Sequence, residues 1–135
     1  MRKYLSILFL VILTLGLTSC EEDDEYDLES IFIGRAWTGD VGMNADNGEP
    51  LFSTFTFDGD GFGEEYQYYL SDGLLYDHFR FQWYWEDNFN RNLVLDYGRI
   101  GISYMDDVRI TGNRMYGIFY LSDDAVPFDF RLEME

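Results

Sequence analysis

Residues 79–86, FRFQWYWE, show the most regular alternation in the chain. Phe, Phe, Trp and Trp occupy every second position, and Arg, Gln, Tyr and Glu occupy the positions between them. Because successive side chains of a β-strand point to opposite faces, this pattern predicts a strand with one buried face and one solvated face. Such strands are typical of antiparallel sheets, so the stretch predicts an all-β fold.

The same period of two recurs on both sides of this stretch. Turn sequences such as Asp58-Gly59-Asp60-Gly61 separate the alternating runs, because Asp and Gly tolerate the positive φ that hairpin turns need. About eight short strands joined by short turns predict a single antiparallel up-and-down barrel, with a two-sheet β-sandwich as the alternative. Besides 79–86, strands are predicted at 34–39, 51–57, 62–70, 93–97, 100–105, 108–111, 114–121 and 128–134.

Residues 1–19 have the three parts of a secretory signal. Arg2 and Lys3 precede an apolar run at 5–17, and the small residues Thr18 and Ser19 follow it. The run is short for a permanent bilayer span, and an acidic segment comes after it. Both features favour a cleaved signal over an anchor helix.

The end of this segment, Leu17-Thr18-Ser19-Cys20, resembles the lipobox of bacterial lipoproteins. In that family the cysteine thiol receives a diacylglycerol, the signal is cut before the cysteine, and the new amine is usually acylated. The resemblance implies that Cys20, the only cysteine, is the lipidation site. Two or three acyl chains hold a protein at a membrane far more firmly than one. A secreted protein with a free thiol is the alternative.

The acidic run EEDDE at 21–25 follows the cysteine, and the segment has no apolar period. It is predicted to be a solvated tether. It also resembles the export signal of Bacteroidetes-type surface lipoproteins, which implies a lipid-anchored position on the outer membrane at the cell surface. A periplasm-facing position is the alternative. The expected organisation is a signal peptide at 1–19, a lipidated cysteine with its tether at 20–30, and a barrel domain at 31–135.

The charge balance limits the partners of the chain. It carries 26 acidic residues against 9 Lys and Arg, and its formal net charge is −17. Such a surface repels phosphate backbones and anionic headgroups. Nucleic-acid binding is therefore not expected, and the membrane is expected to be reached through the lipid anchor.

Three local features resemble the small lipocalin-like lipoproteins of Bacteroidetes: GRAW at 34–37, FTFDGDG at 55–61 and FQW at 81–83. The wider lipocalins carry Gly-x-Trp on the first strand, whereas the spacing here is Gly34-x-x-Trp37. The resemblance implies a lipocalin-like barrel with an apolar cup at one end. It implies no catalytic residue.

Aromatic residues predict two kinds of binding site. The first is a cup near Trp37, Phe57 and Trp83 that holds a small apolar ligand, with Tyr84 as a further candidate contact. The same rings could instead fill the barrel, because eight strands enclose room only for side chains or one small ligand. The second is a glycan- or protein-binding surface on the outward faces. Its candidates are Tyr69, Tyr84, Tyr116 and Tyr120.

Catalysis, metal binding and cofactor binding are not expected. Glu64 and Glu65 are adjacent, so on a strand they face opposite sides and cannot form the carboxylate pair of a glycosidase. His78 is the only histidine and cannot build a multi-histidine metal site. Asp58, Asp60 and Glu64 offer too few ligands for a calcium loop, and a hairpin turn explains the two aspartates.

Replacing Cys20 tests the lipobox interpretation. Cys20→Ala removes the thiol that would carry the diacylglycerol, so acyl labelling and membrane fractionation should both be lost. Metabolic labelling with a tagged fatty acid, followed by fractionation, measures both. Unchanged labelling would contradict the interpretation.

Overall fold

The computed structural model describes residues 31–87, 89 and 91–135. Within this part of the chain, eight β-strands form one closed barrel in which strands adjacent in sequence are hydrogen-bonded to each other. β1 also pairs antiparallel with β8, which closes the sheet. The predicted up-and-down, lipocalin-like barrel is therefore confirmed, and the sandwich alternative is wrong. The strands are β1 (Ala36–Asp40), β2 (Leu51–Phe57), β3 (Phe62–Tyr69), β4 (Leu75–Trp85), β5 (Leu93–Asp96), β6 (Ile102–Thr111), β7 (Arg114–Tyr120) and β8 (Phe128–Met134).

The predicted signal peptide, Cys20 and the acidic tether lie outside the described residues. In the part of the chain that is described, no helix has the length and apolarity needed to cross a membrane.

Strand β6 differs from the sequence prediction, which placed a break between two strands at Asp106-Asp107. The structure has one continuous strand whose register with β7 shifts between Asp106 and Arg109. Met105 is buried before this β-bulge and Val108 is buried after it, so the alternation moves by one residue. Asp107 takes a φ of 56°, a left-handed conformation that Asp adopts more readily than most residues.

Strand β4 begins at Leu75 rather than at the predicted Phe79. The added residues continue the pairing with β3 as far as Tyr68, past an irregularity between Gln67 and Tyr68. Leu75 and Asp77 are exposed, because this part of β4 lies at the rim of the barrel. A strand that does not cover the core lacks the alternation from which it could be predicted.

Aromatic side chains fill one end of the barrel, which we name the closed end. It lies where β1 begins and β2 ends, and Phe32 enters it just ahead of β1. The Phe32 ring stacks on Phe57 at 4.3 Å between ring centroids and meets Trp83 edge-on at 5.4 Å. The indole N–H of Trp37 donates to the carbonyl oxygen of Phe32 at 3.1 Å. These buried contacts seal the closed end.

Glycines at inward positions make room for large neighbours in the narrow interior. Three of them lie directly opposite a large apolar side chain, as the pairs Gly39–Leu132, Gly63–Phe81 and Gly117–Phe130. A Cβ on Gly63 would lie 2.6 Å from a ring carbon of Phe81 and would also meet the carbonyl oxygen of Thr56. The missing side chain therefore lets the facing ring lie across the strand.

Adding one methyl group at such a position should destabilise the barrel. Gly63→Ala should lower the free energy of unfolding by about 1–3 kcal/mol, because backbone and ring atoms must move to admit the new carbon. The midpoint of urea denaturation measures the change.

Gly59→Ala is the matched control, because its Cβ would lie 3.9 Å from Ile33, an ordinary contact distance. It should leave the midpoint nearly unchanged. Equal midpoints for the two variants would contradict the packing role of Gly63.

Candidate ligand-binding site

The opposite end of the barrel, which we name the open end, holds a cavity of about 570 Å³. The cavity lies where β2 and β4 begin and where β3 and β7 end. Phe79, Phe119 and Leu121 supply apolar walls, and Glu65 and Gln67 supply polar groups. This volume is in the range of pockets that hold small organic ligands. We name this space the open-end cavity.

Polar side chains occupy inward positions of β2 and β3 between the closed end and the open-end cavity. Along β2, the inward residues change from Phe57 and Phe55 to Ser53. On β3, Glu65 and Gln67 take the inward positions. On β2 the rings of Phe57 and Phe55 thus give way to Ser53, although Leu51 beyond it is again large and buried. The interior therefore changes from an aromatic core to a partly polar region beside the cavity.

Glu65 is the centre of a hydrogen-bond network inside the barrel. Its side chain is only 4% exposed. One carboxylate oxygen accepts from the hydroxyl of Ser53 at 2.7 Å and from the amide nitrogen of Gln67 at 3.0 Å. The other accepts from the hydroxyl of Tyr97 at 2.7 Å. These three donors compensate a carboxylate that would be costly to bury alone.

Tyr97 is held as a hydrogen-bond donor by its surroundings. Burial raises the pKa of Tyr97 well above its usual value of 10.0. The negative charge of Glu65 and the hydrogen bond to it raise this pKa further. The Tyr97 hydroxyl therefore keeps its proton at neutral pH and continues to donate to Glu65.

The structure brings three of the four predicted ligand contacts together at the closed end. Trp37, Phe57 and Trp83 are buried there around Phe32. Tyr84 is 53% exposed on the outer face. None of the four lines the open-end cavity. The assignment of ligand contacts to these residues stays a prediction.

The sequence interpretation missed Glu65 and Tyr97 as site residues. One signal was present: Ser53, Glu65 and Gln67 occupy positions that, in a barrel of period two, face inward beside Phe55 and Phe57. A polar residue on the apolar face of a strand indicates either a compensated core group or the lining of a site. In the predicted strand at 93–97, Tyr97 shares a face with Leu93 and Leu95, which indicates an inward ring, but no local signal identifies it as the partner of Glu65.

The outer face carries a continuous row of aromatic and aliphatic residues across four strands. Tyr84 lies opposite Val94, Val94 lies opposite Tyr104, and Tyr104 lies opposite Tyr120. Val94 is only 3% exposed. A hydrogen bond to the Asp123 side chain, together with burial, raises the pKa of Tyr104 to about 12. We name these four paired residues the outer row.

Of the other two tyrosines predicted from the sequence to face outward, Tyr116 does so, whereas Tyr69 lies opposite the buried Leu51 on the same face of β3 as Glu65 and Gln67. Tyr69 meets the edge of Tyr76 at 5.3 Å between ring centroids. The guanidinium carbon of Arg109 lies 5.8 Å from the ring centroid of Tyr116. Each of these two rings therefore has a neighbouring side chain in contact with it.

The residues weighed for calcium belong to a turn. The carboxylate of Asp60 accepts from the backbone N–H of Phe62 at 3.1 Å, and the carbonyl oxygen of Asp58 accepts from the backbone N–H of Gly61 at 3.1 Å. Glu64 lies near His78 and Arg80 instead. Across residues 31–87, 89 and 91–135, no group of three or more His, Cys, Asp or Glu side chains is placed to hold a metal ion.

Comparison with known proteins returned no match. No family model, no curated protein and no solved structure is significantly similar to the chain. Function is therefore inferred from the geometry of the barrel and from the residues themselves.

The Tyr97–Glu65 hydrogen bond predicts a pH-dependent contribution to stability. At pH 8, Tyr97→Phe should destabilise the barrel by about 1–3 kcal/mol, because it removes one donor from a buried carboxylate. The folded-state pKa of Tyr97 is raised, so the folded state keeps a proton that the unfolded state loses above about pH 10. The difference in the free energy of unfolding between the unchanged chain and Tyr97→Phe should therefore shrink as the pH rises above about 10.

Urea denaturation of both proteins between pH 8 and pH 11 measures this difference. Both proteins contain the other tyrosines, so the effect of their titration on stability cancels in the difference. A difference that stays constant across the whole pH range would contradict the role given to Tyr97.

Proposed function

We propose that the chain is a non-catalytic, lipocalin-like binding protein that holds a small ligand in the open-end cavity. The observation that carries this proposal is the cavity of about 570 Å³, in a barrel whose other end is sealed by Phe32. A barrel closed at one end and hollow at the other can hold one small molecule without opening its sheet.

The ligand proposed for this cavity has an apolar body. Phe79 and Phe119 line the interior, and Ile100, Ile102 and Leu121 add aliphatic surface that is exposed to solvent. Covering exposed apolar side chains with an apolar ligand removes them from water and favours binding. The polar groups around Glu65 would fix the orientation of the ligand.

We also propose that the protein is anchored to the outer membrane through Cys20, with the barrel at the cell surface. The signal segment at 1–19, the lipobox and the acidic run at 21–25 support this part of the proposal. The described chain enters the barrel at the closed end, beside Phe32. The proposal contains no catalytic step and no cofactor.

A second candidate function uses the outer row. Tyr104 and Tyr120 lie on neighbouring strands, and Tyr84 lies in the same row on the other side of Val94 and is half exposed. Aromatic rings held in this way can stack on a sugar or pack against a protein partner. This arrangement supports the glycan- or protein-binding alternative and does not involve the cavity.

Blocking the cavity mouth tests the first candidate. Asn44 is exposed and lines the cavity, so Asn44→Trp places a large ring in the mouth. Binding of the neutral fluorescent probe N-phenyl-1-naphthylamine to the purified chain should be saturable, and it should weaken about tenfold or more in the variant. Fluorescence titration measures the affinity. Native mass spectrometry of chain purified from its host would show any retained natural ligand.

Asn113→Trp is the matched control, because Asn113 is an exposed residue in the turn between β6 and β7 at the closed end. It should bind the probe as the unchanged chain does. Equal binding by all three proteins would contradict the cavity as the binding site. The outer row would then be the candidate to examine, through Tyr84→Ala.

A further inference from the structure

All charged side chains that line the open-end cavity are acidic. They are Asp46, Glu65 and Asp77, and among the described residues the lining contains no Arg, Lys or His. Every arginine of the described chain is exposed to solvent. No ion pair with Glu65 occurs within the described residues. The cavity therefore combines apolar walls with negative charge that no basic side chain balances.

Glu65 has hydrogen-bonding capacity left for a ligand. Its two oxygens offer about four acceptor positions, and the hydroxyls of Ser53 and Tyr97 and the amide of Gln67 occupy three of them. All three donors are neutral, so they orient the carboxylate without cancelling its charge. A cationic donor could still approach from the cavity that Glu65 lines.

Gln67 provides a second acceptor at the same place. It is only 3% exposed and lines the cavity. Its amide nitrogen is fixed toward Glu65, because the carboxylate can only accept. The amide oxygen of Gln67 then accepts no hydrogen bond from the described residues. Among the described residues, Trp85 Nε1 is the only fully buried side-chain nitrogen or oxygen without a hydrogen-bond partner, so the Gln67 amide oxygen remains accessible and a ligand donor in the cavity could bond to it.

Aromatic rings flank these acceptors. Phe79 lies opposite Glu65 on the neighbouring strand, and the Tyr97 ring meets the edge of Phe79 at 6.1 Å between centroids. The faces of aromatic rings attract cations, which adds to the attraction of a carboxylate. Two acceptors and two rings at the polar side of an apolar cavity match an ammonium group attached to an apolar body.

We propose that the open-end cavity selects a small organic cation, a protonated primary amine that carries an alkyl or aryl body. This inference rests on the proposed function, because it needs the cavity to be a ligand site. The ammonium group donates to Glu65 and to the amide oxygen of Gln67. The apolar body lies against Phe79, Phe119 and Leu121 and extends toward the mouth.

Three probes with the same alkyl chain test the selectivity on the purified full chain. Octylamine, octanol and octanoate share one apolar body and carry a positive, a neutral and a negative head at pH 7. Isothermal titration calorimetry should rank octylamine about tenfold or more tighter than octanol, with octanoate the weakest. This ranking needs no substitution, so it stands even if a variant fails to fold.

Two single-charge variants then separate the site from the overall negative charge. Glu65→Gln keeps the size of the side chain and removes the interior charge, so the preference for octylamine over octanol should fall about tenfold while octanol affinity is kept. Glu64→Gln makes the same change at the next residue, which is partly exposed and lies near Arg80 and His78. It should keep the preference. Thermal unfolding confirms that both variants fold.

The outcomes distinguish this inference from the proposed function. If octylamine and octanol bind equally to the unchanged chain, or if both variants lose the preference equally, the amine inference is overturned and the cavity remains a ligand site. If neither these probes nor N-phenyl-1-naphthylamine binds, the proposed function fails together with the inference.

Discussion

The limited width of an eight-stranded barrel is the constraint on which the rest of this structure depends. Such a barrel encloses little more than its own inward side chains, so their volumes determine where space remains. At the closed end, Phe32, Phe57 and Trp83 use all of that space. The inward glycines accommodate the rings beside them. Toward the open end, β2 carries Ser53 in place of a ring and β3 carries Glu65 and Gln67, and the open-end cavity lies beside them.

The alternation of apolar and polar residues predicts most of the fold, because it indicates which face of each strand is buried. Phe81 and Trp83 are buried and Tyr84 is exposed, as the alternation at 79–86 indicated. What the pattern cannot show is how strands join over long distances. The choice between barrel and sandwich depends on the pairing of β1 with β8, which lie at opposite ends of the domain. The bulge at Asp107 was likewise hidden, because a shift of one residue looks like a strand break in the sequence.

The candidate site was harder to predict than the fold because aromatic residues are ambiguous. Trp37 and Phe57 face inward as expected, but facing inward does not distinguish a ring that packs against a neighbour from a ring that lines a cavity. That distinction depends on total volume across all eight strands. Ser53 and Glu65 carried the more useful signal, since a small or polar residue on an apolar face must be explained by a partner or by space.

Glu65 connects the stability of the barrel to its proposed function. A carboxylate inside the barrel is costly to bury, and apolar residues of similar size would avoid that cost. The chain places its described arginines on the surface and gives Glu65 only neutral donors, from β2, from β3 and from the residue after β5. Stability alone does not require such an arrangement, whereas a binding site needs an oriented carboxylate whose charge is not cancelled. A cation bound there would stabilise the folded state by mass action, so the group that weakens the empty barrel would strengthen the occupied one.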